Sequence, residues 1–344
     1  MKVLICGDVH FSTYSSIVRS RGKHFSTRLE SLVKSLNWVE QISEEYGCDE
    51  EVFLGDFFDK PELSSEELTA LSEIHWNNSS RLKHFIVGNH ESGVASLIYN
   101  STQALHKLGV VEDVPYIYPL DEKTEFLFLP YITEDNRKPL SEYLKDRNVD
   151  KKLIVFSHND IKDFQMGAFI SKTGFSIDDI TANCELYFNG HLHNCGFVTD
   201  KIINVGNICG QNFSEDAFKY GHHVAILDTD KMTIDFVDNP YALNFYKIEI
   251  KSLRDVEKLT RLDSNAVVSI SCLDTLESKV REVIKTLDNI VEHRLVLIKS
   301  EVVDGGSSEI MINNVDHLEQ FKNFVIEKLG LDSILSEELS EVCK

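Results

Sequence analysis

The sequence has 344 residues, of which 42% are hydrophobic and 26% are charged. This length and apolar content can bury a large core and suggest two domains, and no segment approaches the roughly 18 consecutive apolar residues of a membrane helix. The formal net charge of −21 argues at face value against nucleic acid as a partner.

Five short apolar runs, each ending in a polar cluster, predict strands. They are, in chain order, KVLICGDVH, EVFLGDFFD, HFIVGNHE, LIVFSHND and LYFNGHLH. Runs of this length rich in Val, Ile, Leu and Phe suit strands that are buried on both faces. We therefore expect the polar residues to follow the ends of buried strands.

Two amphipathic helices are predicted between these strands. Apolar residues recur at helical spacing in STRLESLVKSLNWVEQISEEYG, and a second helix is predicted in SSEELTALSEIHW. Ser64 or Ser65 would cap the second helix, with Glu67 close behind. The alternation of strand and helix predicts a layered α/β core whose strand ends carry the functional groups.

The pattern changes after about residue 240. The runs FYKIEI, SLRDVEKLTRL, NAVVSISC, TLESKVREVIKTLDNI and HRLVLIKSEV alternate as strand, helix, strand, helix and strand. They predict an α/β cap at 241–304 after a first domain at 1–240. The stretch DGGSSE predicts a linker at 305–313, and residues 314–344 predict one amphipathic helix and a shorter second one.

The polar clusters contain imidazole, carboxylate and amide groups but no thiolate. Such groups suit Mn²⁺, Fe²⁺ or Zn²⁺ and argue against a structural zinc site. Seven ligands exceed the needs of one ion and suffice for two, if one carboxylate bridges ions about 3.5 to 4 Å apart. Any one of these residues alone is more often an ordinary polar residue, but together they predict a metal site. The candidates are Asp8, His10, Asp56, Asn89, His158, His191 and His193.

Through GDVH, GDFFD, GNHE, SHND and GHLH, in this order, the sequence resembles the calcineurin-like metallophosphoesterases over roughly residues 1–230. Within that family it looks most like the SbcD-type nuclease subunit of the double-strand-break repair complex, including T-even-like phage forms, because a cap and terminal helices follow. The segment INVGNICGQNFSEDAFKYGHHVAILD is also similar, with Gly206 before a Phe-x-Glu. It departs at Asn207, where Ser is usual, and at Gln211, where a basic residue is common.

The resemblance implies a layered β-sandwich flanked by helices, with a small α/β cap domain and C-terminal helices. It also implies two divalent ions, Mn²⁺ first, with Mg²⁺, Fe²⁺ or Zn²⁺ as alternatives. His90 would face the scissile phosphate and stabilise the transition state or protonate the leaving oxygen. The implied ligands are Asp8, His10 and His193 for one metal, Asn89, His158 and His191 for the other, and Asp56 as the bridge.

Residues beside the ligands receive structural roles. Asp59 and Asp160 are expected to orient a ligand imidazole or to cap a loop, and Cys6 and Cys195 are expected to pack. The seven cysteines form no CxxC pair, which predicts reduced thiols. With no basic segment before an apolar stretch, we expect no secretory signal and a cytoplasmic location, in a bacterium or in an infected host if the protein is phage-encoded.

One segment is basic against the acidic background. Residues 11–29, FSTYSSIVRSRGKHFSTRL, contain no Asp or Glu, and a solvated loop and a phosphate-binding loop stay equally open. Part of the overall acidity is the ligands themselves, which two divalent cations would neutralise. The candidate DNA contacts are Arg19, Arg21, Lys23 and Arg28.

The first predicted terminal helix has an apolar stripe, which would pack on the chain's own core or dock a partner. The resemblance implies docking on the coiled coil of an SbcC-type ATPase, with the nuclease subunit as a homodimer in the complex. The candidate partner contacts are Leu318, Phe321, Phe324, Val325 and Leu329.

The resemblance implies a Mn²⁺-dependent DNA exonuclease or endonuclease subunit of an SbcCD-like complex, which would use a metal-activated water for end processing in recombination and repair. A phosphatase or cyclic-nucleotide phosphodiesterase on the same fold is the alternative. Protein phosphatases of this superfamily usually carry an Arg soon after the GD and GNHE motifs, whereas here GDFFDKPEL and GNHESGVAS contain none. A non-catalytic scaffold is a third hypothesis, and the intact ligand set speaks against it.

Overall fold

The computed structural model of the protein describes residues 1–13, 15, 17–76, 81–92, 99–145, 147–166 and 169–299. Residues Met1–Lys299 form one compact unit, and residues 300–344 are not among those described. The predicted linker, terminal helices and apolar stripe therefore lie outside the described residues, and the predicted domain boundaries stay predictions. None of the helices in the described ranges combines the length and apolarity that crossing a bilayer requires.

The strands of the described residues give the bounds of the sheets. In chain order they are β1 (Lys2–Cys6), β2 (Glu50–Phe53), β3 (Leu82–Ile86), β4 (Val110–Glu112), β5 (Tyr116–Pro119), β6 (Thr124–Leu129), β7 (Lys152–Ser157), β8 (Ile161–Lys162), β9 (Gln165–Met166), β10 (Phe169–Ile170), β11 (Phe175–Ser176), β12 (Leu186–Asn189), β13 (Gly196–Phe197), β14 (Ile202–Asn204), β15 (His223–Asp228), β16 (Thr233–Asp238), β17 (Asn244–Ile250), β18 (Ala266–Leu273) and β19 (Ile290–Ile298).

The helices of the same residues are short except for the first. The α-helices are α1 (Thr27–Glu45), α2 (Ser65–Ser72), α3 (Ile177–Asn183) and α4 (Glu277–Ile284). The 3₁₀ helices are Ser101–Leu105, Glu134–Asn136, Leu140–Leu144, Leu253–Arg261 and Asp274–Leu276.

Two six-stranded sheets form a sandwich, as predicted. The first has the order β16-β15-β1-β2-β3-β4, and the second has the order β13-β14-β12-β7-β6-β5. Strands β1, β2, β3 and β4 are parallel, and so are β6, β7, β12 and β14. The carboxyl ends of the central strands therefore share one edge in each sheet.

The residues between the two sheets form a continuous apolar layer. Side chains such as Ile5 and Val52 of the first sheet pack with Phe126, Phe156 and Phe188 of the second. Alternate residues on the same strands face outward, where Leu4 and Phe53 pack with the inner face of α1. Burial on both faces explains why these strands read as unbroken apolar runs.

Both predicted helices form, and each begins at a serine cap, of which Ser64 was predicted. Ser26 precedes α1 and accepts a hydrogen bond from the Leu29 amide. Ser64 caps α2 in a capping box with Glu67, each side chain accepting from the other residue's backbone. Two orphan amides at this helix start are thereby satisfied.

The last described elements form a three-stranded parallel sheet, β17-β18-β19, which we call the cap sheet. Its strands match the three predicted after residue 240. The helix predicted between the first two is a 3₁₀ helix, Leu253–Arg261, and α4 lies between the second and third. The Ala217 amide donates to the Phe245 carbonyl at 2.9 Å, which joins the segment behind the metal ligands to the cap sheet.

Candidate dimetal site

The predicted ligands follow the carboxyl ends of five strands in the two facing sheets. Asp8 and His10 follow β1, and Asp56 and Asn89 follow β2 and β3 of the same sheet. His158 follows β7 and the remaining two histidines follow β12 in the other sheet. Sandwich packing brings these ends together, so all seven side chains surround one space.

The first group consists of Asp8, His10 and His193. The Asp8 Oδ2 atom lies 3.8 Å from His10 Nε2 and 3.9 Å from His193 Nε2, and the two Nε2 atoms are 3.2 Å apart. Asp8 and His10 are buried, and His193 is partly exposed.

The second group surrounds the amide oxygen of Asn89. The Asn89 Oδ1 atom lies 3.1 Å from His158 Nε2 and 3.0 Å from His191 Nδ1. Between the two groups, Asp56 Oδ2 lies 3.7 Å from His10 Nε2 and 3.2 Å from His158 Nε2. Asp56 thus has the position that the bridging assignment requires.

The outward ring nitrogens fix which atoms face the centre. His10 Nδ1 lies 2.9 Å from Asp59 Oδ1, His193 Nδ1 lies 2.8 Å from Glu215 Oε1, and His158 Nδ1 lies 2.8 Å from the Leu54 carbonyl. A neutral ring that donates through Nδ1 presents a lone pair at Nε2. Three imidazoles therefore direct their Nε2 atoms at the same space, where each neutral ring would offer a lone pair to a metal ion.

A cation fits this arrangement. His10 Nε2 and His193 Nε2 face each other at 3.2 Å, and the buried Asp8 Oδ2 has no hydrogen-bond donor among the described residues. Clustered acceptors without a donor repel one another unless a positive charge lies between them. With imidazole, carboxylate and amide donors and no thiolate, the space suits two divalent ions of the Mn²⁺, Fe²⁺ or Zn²⁺ kind.

The two groups differ in the residues behind them. Both histidines of the first group contact a carboxylate, Asp59 or Glu215, whereas His158 contacts a backbone carbonyl and His191 Nε2 lies 3.3 Å from Asp160 Oδ1. Carboxylates behind an imidazole raise its basicity as a ligand. We therefore expect the first group to bind its ion more tightly.

Charge dominates the pKa values at the centre. Burial alone would lower the pKa of His158, but Asp56 and Asp8 outweigh burial and raise that pKa to about 9. Burial would likewise raise the pKa of Asp56, but His158 and His10 outweigh it and hold this pKa well below its usual range. The same negative charge that holds a proton on His158 would attract a metal ion in its place.

The ligand loops adopt uncommon backbone conformations. His10, Asp56 and His191 have φ values of 47°, 44° and 66°, in the left-handed region that non-glycine residues seldom occupy. Such residues cost about 1–3 kcal/mol each and persist where the surroundings hold them. Here the Asp56 carbonyl accepts hydrogen bonds from His10 N at 2.8 Å and Val9 N at 3.2 Å, which locks two ligand loops together.

Two motif glycines permit the close approach of these loops. A Cβ atom on Gly88 would overlap the Asp56 carboxylate, and one on Gly55 would overlap the His158 ring. Neither space accepts a carbon atom. The glycine before Asp56 and the glycine before Asn89 are therefore required by the packing of the ligands.

His90 lies at the rim of the site. Its side chain is 44% exposed, its amide donates to Asp56 Oδ1 at 2.9 Å, and its Nδ1 lies 3.2 Å from the Asp59 carbonyl. The Asp59 carbonyl can hold the Nδ1 proton and leave Nε2 for a substrate. His90 also shares a ligand-like group with His10 and Asp56, so a ligand role is a structural alternative.

Two buried carboxylates near the ligands, those of Glu91 and Glu215, had no predicted role. Glu91 of GNHE accepts from the Phe58 and Gly88 amides at 3.1 and 2.7 Å, and burial and Asp56 raise its pKa to about 7. Glu215 accepts from His193, Asn207 and the Gln211 amide. The available signals were the Glu in GNHE and the Phe-x-Glu after Gly206.

The cations of the basic segment lie in different environments. Arg21 is exposed and pairs with Glu66 at 3.0 Å, and Lys23 is also exposed. Arg28 is 3% exposed, and its guanidinium donates to the Gly210 and His10 carbonyls at 3.1 Å each. The prediction that Arg28 contacts DNA is therefore wrong, because this buried side chain supports the His10 loop.

The sandwich and its paired acceptor groups define the class of a dimetal phosphoester hydrolase. A family model described as calcineurin-like phosphoesterase matches residues 1–195, and the protein belongs to this family. No curated protein matches the chain.

Solved structures that the chain matches include a dimetal phosphatase from Danio rerio, with a TM-score of 0.42, 14% identity, and coverage of 70% of this chain and 99% of that one. The protein TT1561 of Thermus thermophilus has a TM-score of 0.39, 12% identity, and coverage of 69% of this chain and 98% of its own.

Proposed function

We propose that the protein is the Mn²⁺-dependent DNA nuclease subunit of an SbcCD-like complex, cleaving phosphodiester bonds in DNA end processing. The observation that carries the proposal is the cap sheet beside the dimetal site. Glu292 of β19 accepts hydrogen bonds from the Arg19 and Ser20 amides at 3.1 Å each. A separate sheet thus supports the basic segment that follows His10, an arrangement suited to a long anionic substrate.

The chain's own residues have separable roles in this reaction. The seven ligands would hold two divalent ions, which lower the pKa of water and neutralise phosphate charge when bound. Asp59 orients both His10 and His90 through its carboxylate and its carbonyl. A protonated His90 would donate from Nε2 to the leaving oxygen.

The experiment is an assay of the purified protein with Mn²⁺ on labelled linear duplex DNA, single-stranded circles, a small phosphodiester and a phosphomonoester, with and without a co-expressed coiled-coil ATPase. Cleavage of DNA would support the proposal. Hydrolysis of the phosphomonoester or of a cyclic nucleotide, with DNA left intact, would overturn it in favour of the alternative phosphatase or phosphodiesterase.

Nucleic-acid contact is tested by changing Arg19, Arg21 and Lys23 together to Ala. DNA affinity should fall and its salt dependence should flatten, by a slope of up to about 3 for three phosphate contacts, while the small phosphodiester is hydrolysed as before. An unchanged slope would make this segment an ordinary solvated loop. A matched control removes three exposed lysines elsewhere, Lys145, Lys231 and Lys279.

A further inference from the structure

A second cationic region is connected to the dimetal site through Asp160, which contacts His191. It is a cleft of about 360 Å³ whose lining includes Arg137, Lys138, Lys162, Gly174 and Phe175. None of these residues belongs to the basic segment after His10, and the sequence patterns gave them no role. We call this space the β8–β11 cleft, after the two strands that form part of its wall.

A short chain of contacts joins the β8–β11 cleft to the metal ligands. Asp160 lies 3.3 Å from His191 Nε2 through its carboxylate, and its carbonyl accepts from the Phe175 amide at 3.0 Å. Strands β8 and β11 pair in parallel, with Ile161 opposite Phe175. Lys162, two residues after Asp160, is therefore anchored to the same framework that supports His191.

Hydrogen bonds and an ion pair hold the wall of the β8–β11 cleft in place, and they neutralise part of its charge. The Arg137 guanidinium lies 5.6 Å from the centre of the Phe175 ring, donates to the Ile132 carbonyl at 2.7 Å and pairs with Glu134. The one further acid of the lining, Asp179, accepts from the Leu140 amide at 2.7 Å. These contacts leave Arg137 largely neutralised and Asp179 engaged as a backbone acceptor.

Two ammonium groups remain available to a ligand. Lys138 and Lys162 are exposed, and across the described part of the chain neither side chain has an ion pair or hydrogen bond. In a chain of net charge −21, two such lysines beside a group of acceptors that recruits cations form a local positive potential. An anionic substrate would be attracted both to metal ions bound at the site and to these two lysines.

We propose that the β8–β11 cleft binds a backbone phosphate of the DNA strand next to the scissile phosphate, through Lys138 and Lys162. This inference rests on the proposed nuclease function and names a substrate contact for it. The strand would extend from the metal pair past Asp160 into the cleft. Lys138 and Lys162 act as point charges for phosphate, and because among the described residues neither contacts a metal ligand, their role is binding and positioning.

The test compares the Lys138→Ala/Lys162→Ala double variant with a control of equal charge change at exposed lysines that do not line the cleft, Lys231→Ala/Lys279→Ala. Binding of an end-labelled single-stranded oligonucleotide is measured by fluorescence anisotropy over a range of salt concentrations, beside the KM and kcat of its cleavage. The cleft variant should bind about 10-fold more weakly, with a salt slope smaller by about 0.7, the value for one phosphate contact on a single strand. Its KM should rise, whereas kcat and hydrolysis of a small phosphodiester should stay unchanged.

Three outcomes would contradict the proposed phosphate contact. If the cleft variant matches the control in affinity and salt slope while wild-type protein binds and cleaves DNA, the β8–β11 cleft is not a phosphate site and the nuclease proposal stands. If wild-type protein neither binds nor cleaves the oligonucleotide but hydrolyses the small phosphodiester, the nuclease function itself is wrong, and this phosphate contact fails with it. Competition by inorganic phosphate alone, without a difference in oligonucleotide binding, would also overturn the proposal.

Discussion

At the residue scale, the site is a set of acceptors held in place by donors behind them. The Nδ1 atoms of His10 and His193 are committed to Asp59 and Glu215, so the inward Nε2 atoms are available as ligands. Asn207 in turn donates to Glu215 at 2.9 Å. The side-chain amide of Asn207 therefore supplies a donor to the supporting carboxylate.

Asp56→Asn should test the bridge. The substitution removes one charge from the atom that lies between His10 and His158, so we expect activity to fall by orders of magnitude and at least one metal to be lost. Metal content by mass spectrometry and kcat with Mn²⁺ are the measurements. Wild-type activity with two bound metals would show that Asp56 is no bridge.

A matched control for this change is Asp163→Asn. Asp163 has a φ value of 63° and is exposed, so the same chemical change is made at a similar left-handed backbone position. Asn tolerates this conformation. Metal content and activity should both stay at the wild-type level.

His90→Asn should separate chemistry from metal binding. If the imidazole donates a proton to the leaving oxygen, kcat should fall by about 10²–10⁴ while metal content and DNA affinity stay near wild type. The measurements are single-turnover cleavage and metal titration. Loss of a metal ion would instead make His90 a ligand, as its proximity to His10 and Asp56 permits.

Several residue roles were predictable from the sequence, and others were not. All seven candidate ligands follow buried strands, and strand ends in a layered α/β fold converge, so their proximity followed from the pattern. Arg28 shows that a basic composition does not predict which side chains are exposed. A run without acids suggested a basic surface, but Arg28 is the second residue of α1, where the helix faces the ligand loops. Composition contains no information about that orientation.

At the element scale, the apolar runs determined the strands but not their partners. β1, β2 and β3 are parallel neighbours in sequence order, as alternating strands and helices predict. The antiparallel pairing of β15 with β1 joins residues more than two hundred positions apart and has no local signal. The 3₁₀ form of Leu253–Arg261 was also missed, since its apolar spacing resembles that of an α-helix.

A buried ion pair network between strands gives a pH-dependent prediction. On β3, His84 Nδ1 lies 2.8 Å from Glu112 of β4, and Nε2 lies 3.5 Å from Glu50 of β2. Burial lowers the pKa of His84, but the two carboxylates outweigh it and the net shift is upward. The stabilisation is therefore complete below the unfolded-state pKa of about 6.5 and is lost as the pH rises through the folded-state pKa.

His84→Gln should accordingly destabilise the protein most in mildly acidic solution. We expect a loss of about 3–5 kcal/mol there, the usual cost of breaking a buried pair, and a smaller loss at alkaline pH. Urea unfolding midpoints at a series of pH values measure the difference. His106→Gln, at an exposed histidine, is the control, and a destabilisation that grew with pH would contradict the ion pair.

At the scale of the whole molecule, the negative net charge is explained in part by the metal site. Part of the net charge of −21 belongs to ligand and supporting carboxylates, which metal binding would offset locally. The exposed cations of the basic segment follow His10 in the chain, and those of the β8–β11 cleft connect through Asp160 to His191. The cytoplasmic location and the homodimer stay predictions.

Deletion of residues 314–344 tests the last whole-molecule proposal, that this segment docks a coiled-coil ATPase. Because Met1–Lys299 is a compact unit by itself, the truncated protein should fold and keep its Mn²⁺-dependent activity. Co-purification with the ATPase and ATP-stimulated cleavage should both disappear. Aggregation of the truncated protein expressed alone would mean that the segment belongs to the core, and the docking proposal would fail.

Point variants make this test specific to the predicted apolar stripe. Changing Leu318, Phe321 and Phe324 to Ser should abolish ATPase capture without lowering the unfolding midpoint, because a docking stripe contributes its apolar burial only in the complex. A control in the same segment changes three polar residues of the same predicted helix to Ser and should leave capture intact. Equal loss of capture in both variants would show that helix formation, rather than the stripe, limits binding. The control residues are Glu319, Gln320 and Asn323.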